Sequence, residues 1–456
     1  MSTRHLPPDA LLAHATRAVD QARAAGATHA DACAEGSRAF TVRVHGGAIE
    51  TLKQSGTLGL GLRVMVDDAV GFASGTDLSP AGLEDLARRA VALARFATPD
   101  AANGTPTRAE AGDDFIGDLE LFDEAALDLS PDAKIAMALE LERIALAVDP
   151  RISRSDGSAV SSSGGSFAIA NSNGVARAWE GSSVSAWVVA LAEDGRKQQT
   201  GVYGATKRHL ADLPSMESLA REAGRRAVAR IGARSVHTAR VPVLMHPEIA
   251  AGWISEMYEA FTGEAVLKQS SWLTEQLGKM IASPLLTMVD DGTLPRGLGS
   301  SPYDGEGLRT RRNLLIDRGR CVSFAYDRYH ARRAKTAPTG NGIRGFGSTP
   351  GIGFHNLSIE NGATSPQALF GQMDRGFYYD DQGSFGFNPV TGDYSYQAQG
   401  FWVEHGEKQF PVDGVTIAGN SLEMLRHIVA VGNDLEWRSS VACPTLLIES
   451  MTVSGA

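Results

Sequence analysis

The chain switches between segments whose apolar residues recur every three or four positions and segments in which they alternate or form short runs. Between Pro8 and Ala25, Leu11, Leu12, Ala15, Ala18, Val19 and Ala22 make one stripe, which predicts an amphipathic helix ending near Gly26. From Ala32 to Ser74 short β-type runs take over, and Gly46-Gly47, Ser55-Gly56 and Asp67-Asp68 are expected to divide them into an antiparallel meander. A second helix follows. Ser79 supplies its cap, Pro80 sits where a missing amide is tolerated, and Leu83, Leu86, Ala87, Ala90, Val91 and Ala94 line one face.

The same order then returns. Residues 99–119, rich in Ala, Asn, Thr, Pro, Gly and acidic side chains, read as a linker. Ser130-Pro131 starts a helix running to about Val148, strands fill Ile152 to Tyr203 with Asn173-Gly174 as a hairpin turn, and "PSMESLAREAGRRAVARIG" closes the unit as a helix. Residues 1–98 and 120–233 are therefore predicted to be two helix-meander-helix units of similar topology. The region 239–456 opens with the strand "VPVLMH", enters a helix at Pro247 and continues through Gly-rich stretches to "PTLLIESMTVSG". A β-rich C-terminal domain is expected there, and α+β is the expected fold class.

Composition narrows the function. A net charge of -10 argues against a surface built to neutralise nucleic-acid phosphates. Cys33, Cys321 and Cys443 are far apart and form no C-x-x-C pair, so neither a disulfide framework nor a zinc ribbon is indicated, and a reducing compartment fits. No stretch approaches a spanning helix and Met1 to Asp20 lacks an apolar signal core, which gives the expectation of a cytoplasmic protein without membrane partners.

Candidate chemistry is thin. A zinc peptidase of the H-E-x-x-H class needs two imidazoles on one helix face with a glutamate between them. In "HPEIAAGW", Glu248 follows His246 by two residues, and Ala250 and Ala251 occupy the positions four and five further on. His246 then reads as the entry to a helix whose Ile249, Trp253, Ile254, Met257, Tyr258 and Phe261 are buried. "GGSFA" around Ser166 departs from a nucleophile elbow, "GLGLRV" lacks the third glycine of a dinucleotide loop, and Cys443 before Pro444 reads as a buried thiol.

Two stretches invite more. "SFAYDRYHARRAKTAPTGNGIRGFG" concentrates Arg328, Arg332, Arg333, Lys335 and Arg344 with aromatic residues, a combination suited to meeting an anion or carboxylate. "NPVTGDYSYQAQGFWVEHG" predicts a strand after a turn. With small Gly400 it is either an edge that adds an extended peptide by main-chain pairing or a plain core strand.

These stretches also carry a resemblance. "TGEAVLKQSSWLTEQLGKMIASPLLTMVDDG", "GLGSSPYDGEG", "TGNGIRGFG", "NPVTGDYSYQAQGFWVEHGEKQFPV" and "TIAGNSLEML", in that order, resemble the PmbA/TldE-type members of the TldD/PmbA family, once grouped as modulators of DNA gyrase. The resemblance implies a division of labour in which TldD-type subunits carry H-E-x-x-x-H plus a cysteine as zinc ligands and PmbA/TldE-type subunits lack them. This chain would be the metal-free subunit of a cytoplasmic peptidase complex acting on unfolded or precursor peptides. It would have no catalytic residue, cofactor or metal ligand of its own, and zinc would lie in a TldD-type partner. Tyr326, His330, Arg332, Asn341 and Tyr394 are the expected peptide-contacting positions. A homodimeric peptide-binding or scaffold protein without a peptidase role is the competing reading.

Overall fold

The computed structural model describes residues 6–195, 197–384 and 386–455. Its first half is built as α1 (Pro8–Ala24), β1 (His29–His45), β2 (Ala48–Val66), β3 (Ala69–Gly75) and α2 (Pro80–Ala94). After the short turns α3 (Arg108–Ala111) and α4 (Glu124–Leu127) come α5 (Pro131–Leu146), β4 (Ile152–Asn171), β5 (Ala176–Asp194), β6 (Lys197–Lys207) and α6 (Met216–Ala229). Both units are helix, meander, helix. They do not stand apart, because β1 pairs antiparallel with β4 and fuses the two meanders into one six-stranded sheet, β3-β2-β1-β4-β5-β6.

Local chemistry explains the breaks. Gly46 and Gly47 turn β1 into β2 at positive φ, and Asp67 and Asp68 adopt positive φ between β2 and β3. Ser55-Gly56, expected as a third turn, lies inside β2: its ladder to Ala39 and Arg38 is unbroken, and a Ser-Gly pair ends a strand only where no neighbour holds it extended. The stretch read as a linker is fastened down. Asn171 donates to the Pro106 carbonyl at 2.9 Å, and Tyr329 to Asp100 at 2.8 Å.

α1 and α2 bury Leu11, Ala15, Leu83 and Leu86 against Leu60, Leu62 and Val64. α5 and α6 bury Leu141, Leu219 and Ala223 against Val42, Val160 and Val188. Each large apolar side chain so buried stabilises by roughly 1.5–3 kcal/mol.

The second half starts with β7 (Ala239–Met245), α7 (Pro247–Met257) and α8 (Gly263–Leu267). β8 (Met288–Asp291), β9 (Arg312–Asp317), β10 (Arg320–Cys321) and α9 (Arg328–Ala334) follow, then β11 (Gly342–Ile343), β12 (Gly351–Ile352) and β13 (Leu357–Ile359). The rest is α10 (Pro366–Gly371), β14 (Arg375–Gln382), β15 (Asp393–Glu404), β16 (Glu407–Asn420), α11 (Ser421–Arg426), β17 (Ile428–Val431), β18 (Val441–Ala442) and β19 (Leu446–Ser454). Strands run β16-β15-β14-β7-β19, and a further pairing of β16 with β19 closes them into a barrel with β17 attached outside. A five-stranded sheet, β10-β9-β8-β13-β18, lies beside it. α7 plugs the largest core through Ile249, Trp253, Ile254 and Met257, and Trp253 donates its indole N–H to Ser421 at 3.0 Å.

The fold is α+β with a β-rich second half. No helix among the described residues is long and apolar enough to cross a membrane. β15 takes its place as a core strand: Tyr394, Tyr396, Ala398, Gly400 and Trp402 are buried on one face, and β14 and β16 occupy its two edges. The alternative of peptide addition along β15 is thus excluded. Gly400 is needed because a Cβ there would stand 1.9 Å from the Tyr378 carbonyl oxygen.

Candidate functional site

α7 begins where β7 leaves the barrel. His246 caps it, its Nδ1 accepting from the Glu248 backbone N–H at 3.2 Å, and Pro247 fills the first helical position. The turn overlooks a cleft of about 770 Å³ floored by α6, α7 and β14 and walled by the segment around Arg438 and Cys443. His246, Glu248, Ala251 and Cys443 all line it. Three residue types of a zinc set therefore converge, although the chain brings Cys443 from the far end of the barrel. Ala250 is wholly buried in the core, so it is Ala251, five residues after His246, that stands beside the imidazole in the cleft.

The donors are nevertheless committed elsewhere. Glu248 receives Arg226 bidentately, at 2.9 and 2.7 Å, and pairs on the same side with Arg438. Arg438 also donates to the Gly204 carbonyl at 2.8 Å, and both guanidinium groups stack on Tyr203, at 4.5 Å for Arg226 and 3.9 Å for Arg438. Glu222 holds Arg225 and Arg226 from α6; burial opposes its charge, but their hydrogen bonds outweigh it and bring its pKa down to about 2.

Burial, reinforced by Arg226, Arg438 and Lys408, pushes His246 down to about 3, so the ring is neutral, and the bond to Nδ1 leaves its proton on Nε2. Burial also holds the Cys443 thiol well above its ordinary range. Two guanidinium groups stand where a dication would need carboxylate and thiolate. Among the described residues no group of three His, Cys, Asp or Glu side chains is arranged to hold a metal ion. The residues present do not fit zinc.

The other candidates lie elsewhere. Ser166 is buried in β4, and among the described residues its hydroxyl meets no imidazole or any other hydrogen-bond partner. The ring of Tyr326 covers Gly263, where a Cβ would come within 2.0 Å of it. His330 in α9 bonds Asp327 at 2.8 Å through Nδ1, and Arg332 donates to the Asn103 carbonyl at 2.6 Å. Asn341 is fully buried, donating to Asp290 at 2.7 Å and to the Gly353 carbonyl at 2.8 Å. Tyr394, also buried, donates to Tyr379 at 3.2 Å. Thr339 joins Tyr326 to Asn341 through its hydroxyl, but none of the five lines the His246 cleft.

Arg344, from the basic stretch, does meet a carboxylate, that of Asp31 in β1. Arg63 reaches the same carboxylate at 2.6 Å. Gly59 and Gly61 of β2 allow Phe346 to lie against the sheet. The stretch is a clasp between the two halves of the molecule. Arg226, Arg438, Tyr203 and Lys408 carried no distinguishing signal in the sequence, where Arg225 and Arg226 after Glu222 look like an ordinary solvated helix face.

Comparison with known proteins gives one consistent result. Three consecutive family domains match: PmbA/TldA metallopeptidase domain 1 over 30–94, the central domain over 124–231 and the C-terminal domain over 238–455. Metalloprotease PmbA of Escherichia coli O157:H7 is 32% identical over 416 residues, spanning 91% of this chain and 90% of that protein. A metalloprotease PmbA homolog of Haemophilus influenzae is 31% identical over 411 residues, covering 89% and 88%. A putative modulator of DNA gyrase from Bacteroides thetaiotaomicron superposes with a TM-score of 0.89 at 25% identity, over 97% of this chain and 98% of that one. TldE from Thermococcus kodakarensis shares the fold, with a TM-score of 0.88 at 24% identity over 97% and 100%.

Proposed function

The chain belongs to the PmbA/TldA metallopeptidase family, and from that premise we propose that it is the metal-free subunit of a cytoplasmic peptidase complex. In this reading it holds an extended, unfolded or precursor peptide while a TldD-type partner supplies the zinc. One observation carries it: Glu248, the carboxylate beside His246, is bound by Arg226 and Arg438, and Ala251 stands where a second imidazole would face the ion. A dication brought there would meet two fixed positive charges and a protonated thiol. The cleft itself, large and half apolar, suits a peptide. Peptide contact at Tyr326, His330 and Arg332 is a separate part of the proposal, since none of them lines this cleft, and Asn341 and Tyr394 are fully buried. The three buried free cysteines agree with a reducing compartment.

The test is purification from native lysate with zinc and peptidase measurements on what is recovered. The expected result is a zinc-bearing relative bound to this chain, and an isolated chain with no stoichiometric zinc and no chelator-sensitive cleavage. An isolated chain that retains one zinc and cleaves peptides would overturn the assignment. A stable self-assembly that leaves peptide turnover unchanged would favour the scaffold reading.

A further inference from the structure

Behind the cleft lies a recess of about 50 Å³ that shares Arg226, His246 and Tyr378 with it and adds Arg225, Arg230, Asp380 and Lys408. Its lining is mainly cationic, and all but one of those cations are paired. Arg225 and Arg226 are answered by Glu222, Arg226 and Arg438 by Glu248, and Arg230 by Asp381 at 2.5 Å with Asp380 at 3.6 Å. Lys408 is left over: among the described residues no carboxylate lies within 4.0 Å of its ammonium, which instead faces three rings, Tyr378 at 4.0 Å, Phe401 at 4.8 Å and Phe370 at 5.4 Å. Four cations, Arg225, Arg226, Arg230 and Lys408, and one carboxylate, Asp380, line the recess itself, while Asp434 and Glu436 line the cleft in front of it; the Asp380 Oδ1, 3.6 Å from Arg230, is buried without a hydrogen bond among the described residues.

A buried cation with no carboxylate in contact is costly to keep charged, and an anion brought beside it would offset that cost. Burial lowers the Lys408 pKa, and Asp380, acting from beyond contact distance, opposes that shift. The recess is small enough to admit a carboxylate and too small for a side chain of any bulk. Arg226 and His246 border both the recess and the cleft, and both offer N–H donors.

Building on the peptide-holding reading, we propose that this recess anchors the C-terminal carboxylate of an extended peptide lying in the cleft, with Lys408 and Arg226 as its ionic partners and His246 as a hydrogen-bond donor. The anchor sets direction as well as affinity. A peptide held by its last carboxylate lies along the cleft with its end toward β14 and the rest pointing outward.

The test is fluorescence anisotropy on the purified full chain with an unstructured Ala- and Ser-rich peptide, labelled at its N-terminus, as the free acid and as the C-terminal amide. The free acid is expected to bind about tenfold more tightly, the value of one charge-assisted contact. Lys408→Met keeps the stem against the rings and is expected to abolish the difference. The acid and amide comparison on the unaltered chain stands by itself should that variant misfold. Equal binding of the two forms, or no binding of either, overturns the anchor. An amidated peptide with an internal aspartate that regains the affinity overturns the terminal assignment in favour of an acidic side chain. Competition by inorganic phosphate without any acid and amide difference overturns it in favour of a free anion. None of these failures bears on whether a zinc-bearing partner copurifies.

Discussion

Arg344 and Asp31 form an ion pair almost wholly withdrawn from solvent, with side chains 1% and 4% exposed, although 313 residues separate them. Burial alone would raise the Asp31 pKa, but Arg344 and Arg63 outweigh it and hold the carboxyl below its ordinary value. Removing one member leaves a buried charge under-compensated, so Arg344→Leu is expected to cost about 3 kcal/mol in a urea denaturation. Because the folded pKa is depressed, this contribution is present above about pH 3.9 and fades as pH falls through the lower folded value. An unchanged midpoint would show that Arg63 alone satisfies Asp31.

Glu306, on the same clasp, runs the other way. Burial, with Asp304 nearby, pushes it up to about 7 despite Arg63 at 3.6 Å. A raised folded pKa means that its contribution is full below the unfolded value of 4.5 and is lost as pH rises through about 7. Glu306→Gln is expected to flatten the decline in stability across that window. A wild-type curve already flat there would refute the assignment.

His246 has the opposite sign again. With its pKa held at about 3 against an ordinary 6.5, it adds stability above 6.5 that drains away on acidification. Its ring resonances in a two-dimensional NMR titration should not move between about pH 5 and 8, where a free histidine changes charge. A midpoint near 6.5 would mean that the ring is not buried beside Arg226 and Arg438.

Gly59 and Gly61 separate two kinds of contact with one residue. A Cβ at Gly61 would lie 2.1 Å from the Phe346 carbonyl oxygen, and one at Gly59 would lie 2.3 Å from its ring. Either Gly→Ala change is expected to destabilise by about 1–3 kcal/mol. Adding Phe346→Ala should recover Gly59→Ala, whose obstacle is a side chain, but not Gly61→Ala, whose obstacle is backbone. Calorimetry on the double-mutant cycles reads the coupling.

The elements were legible where the signal is local. The stripe from Ile249 to Met257, the Gly46-Gly47 turn and the alternation of Tyr394, Tyr396 and Trp402 each depend on neighbours within a few residues. What stayed hidden depends on which distant element lies opposite. Ser55-Gly56 looked like a turn because the sequence does not say that β1 pairs along it. The strand through Gly400 could be read as an edge or as a core strand because the sequence does not say that β14 and β16 flank it. The lack of a second imidazole near His246 could be read directly. The reason the remaining donors do not suit a metal, Arg226 and Arg438 meeting on Glu248 from 212 residues apart in the chain, could not.

The barrel cannot close until β19 arrives, because that strand joins β7 on one side and β16 on the other. On the ribosome the six-stranded sheet has all its strands once residue 207 has emerged, while one edge of β7 must wait about 200 residues for β19. At 5–20 residues per second that is roughly 10–40 s during which an apolar strand edge stands open. The second half of this molecule is thus the part that most needs a chaperone's cover while it is being made.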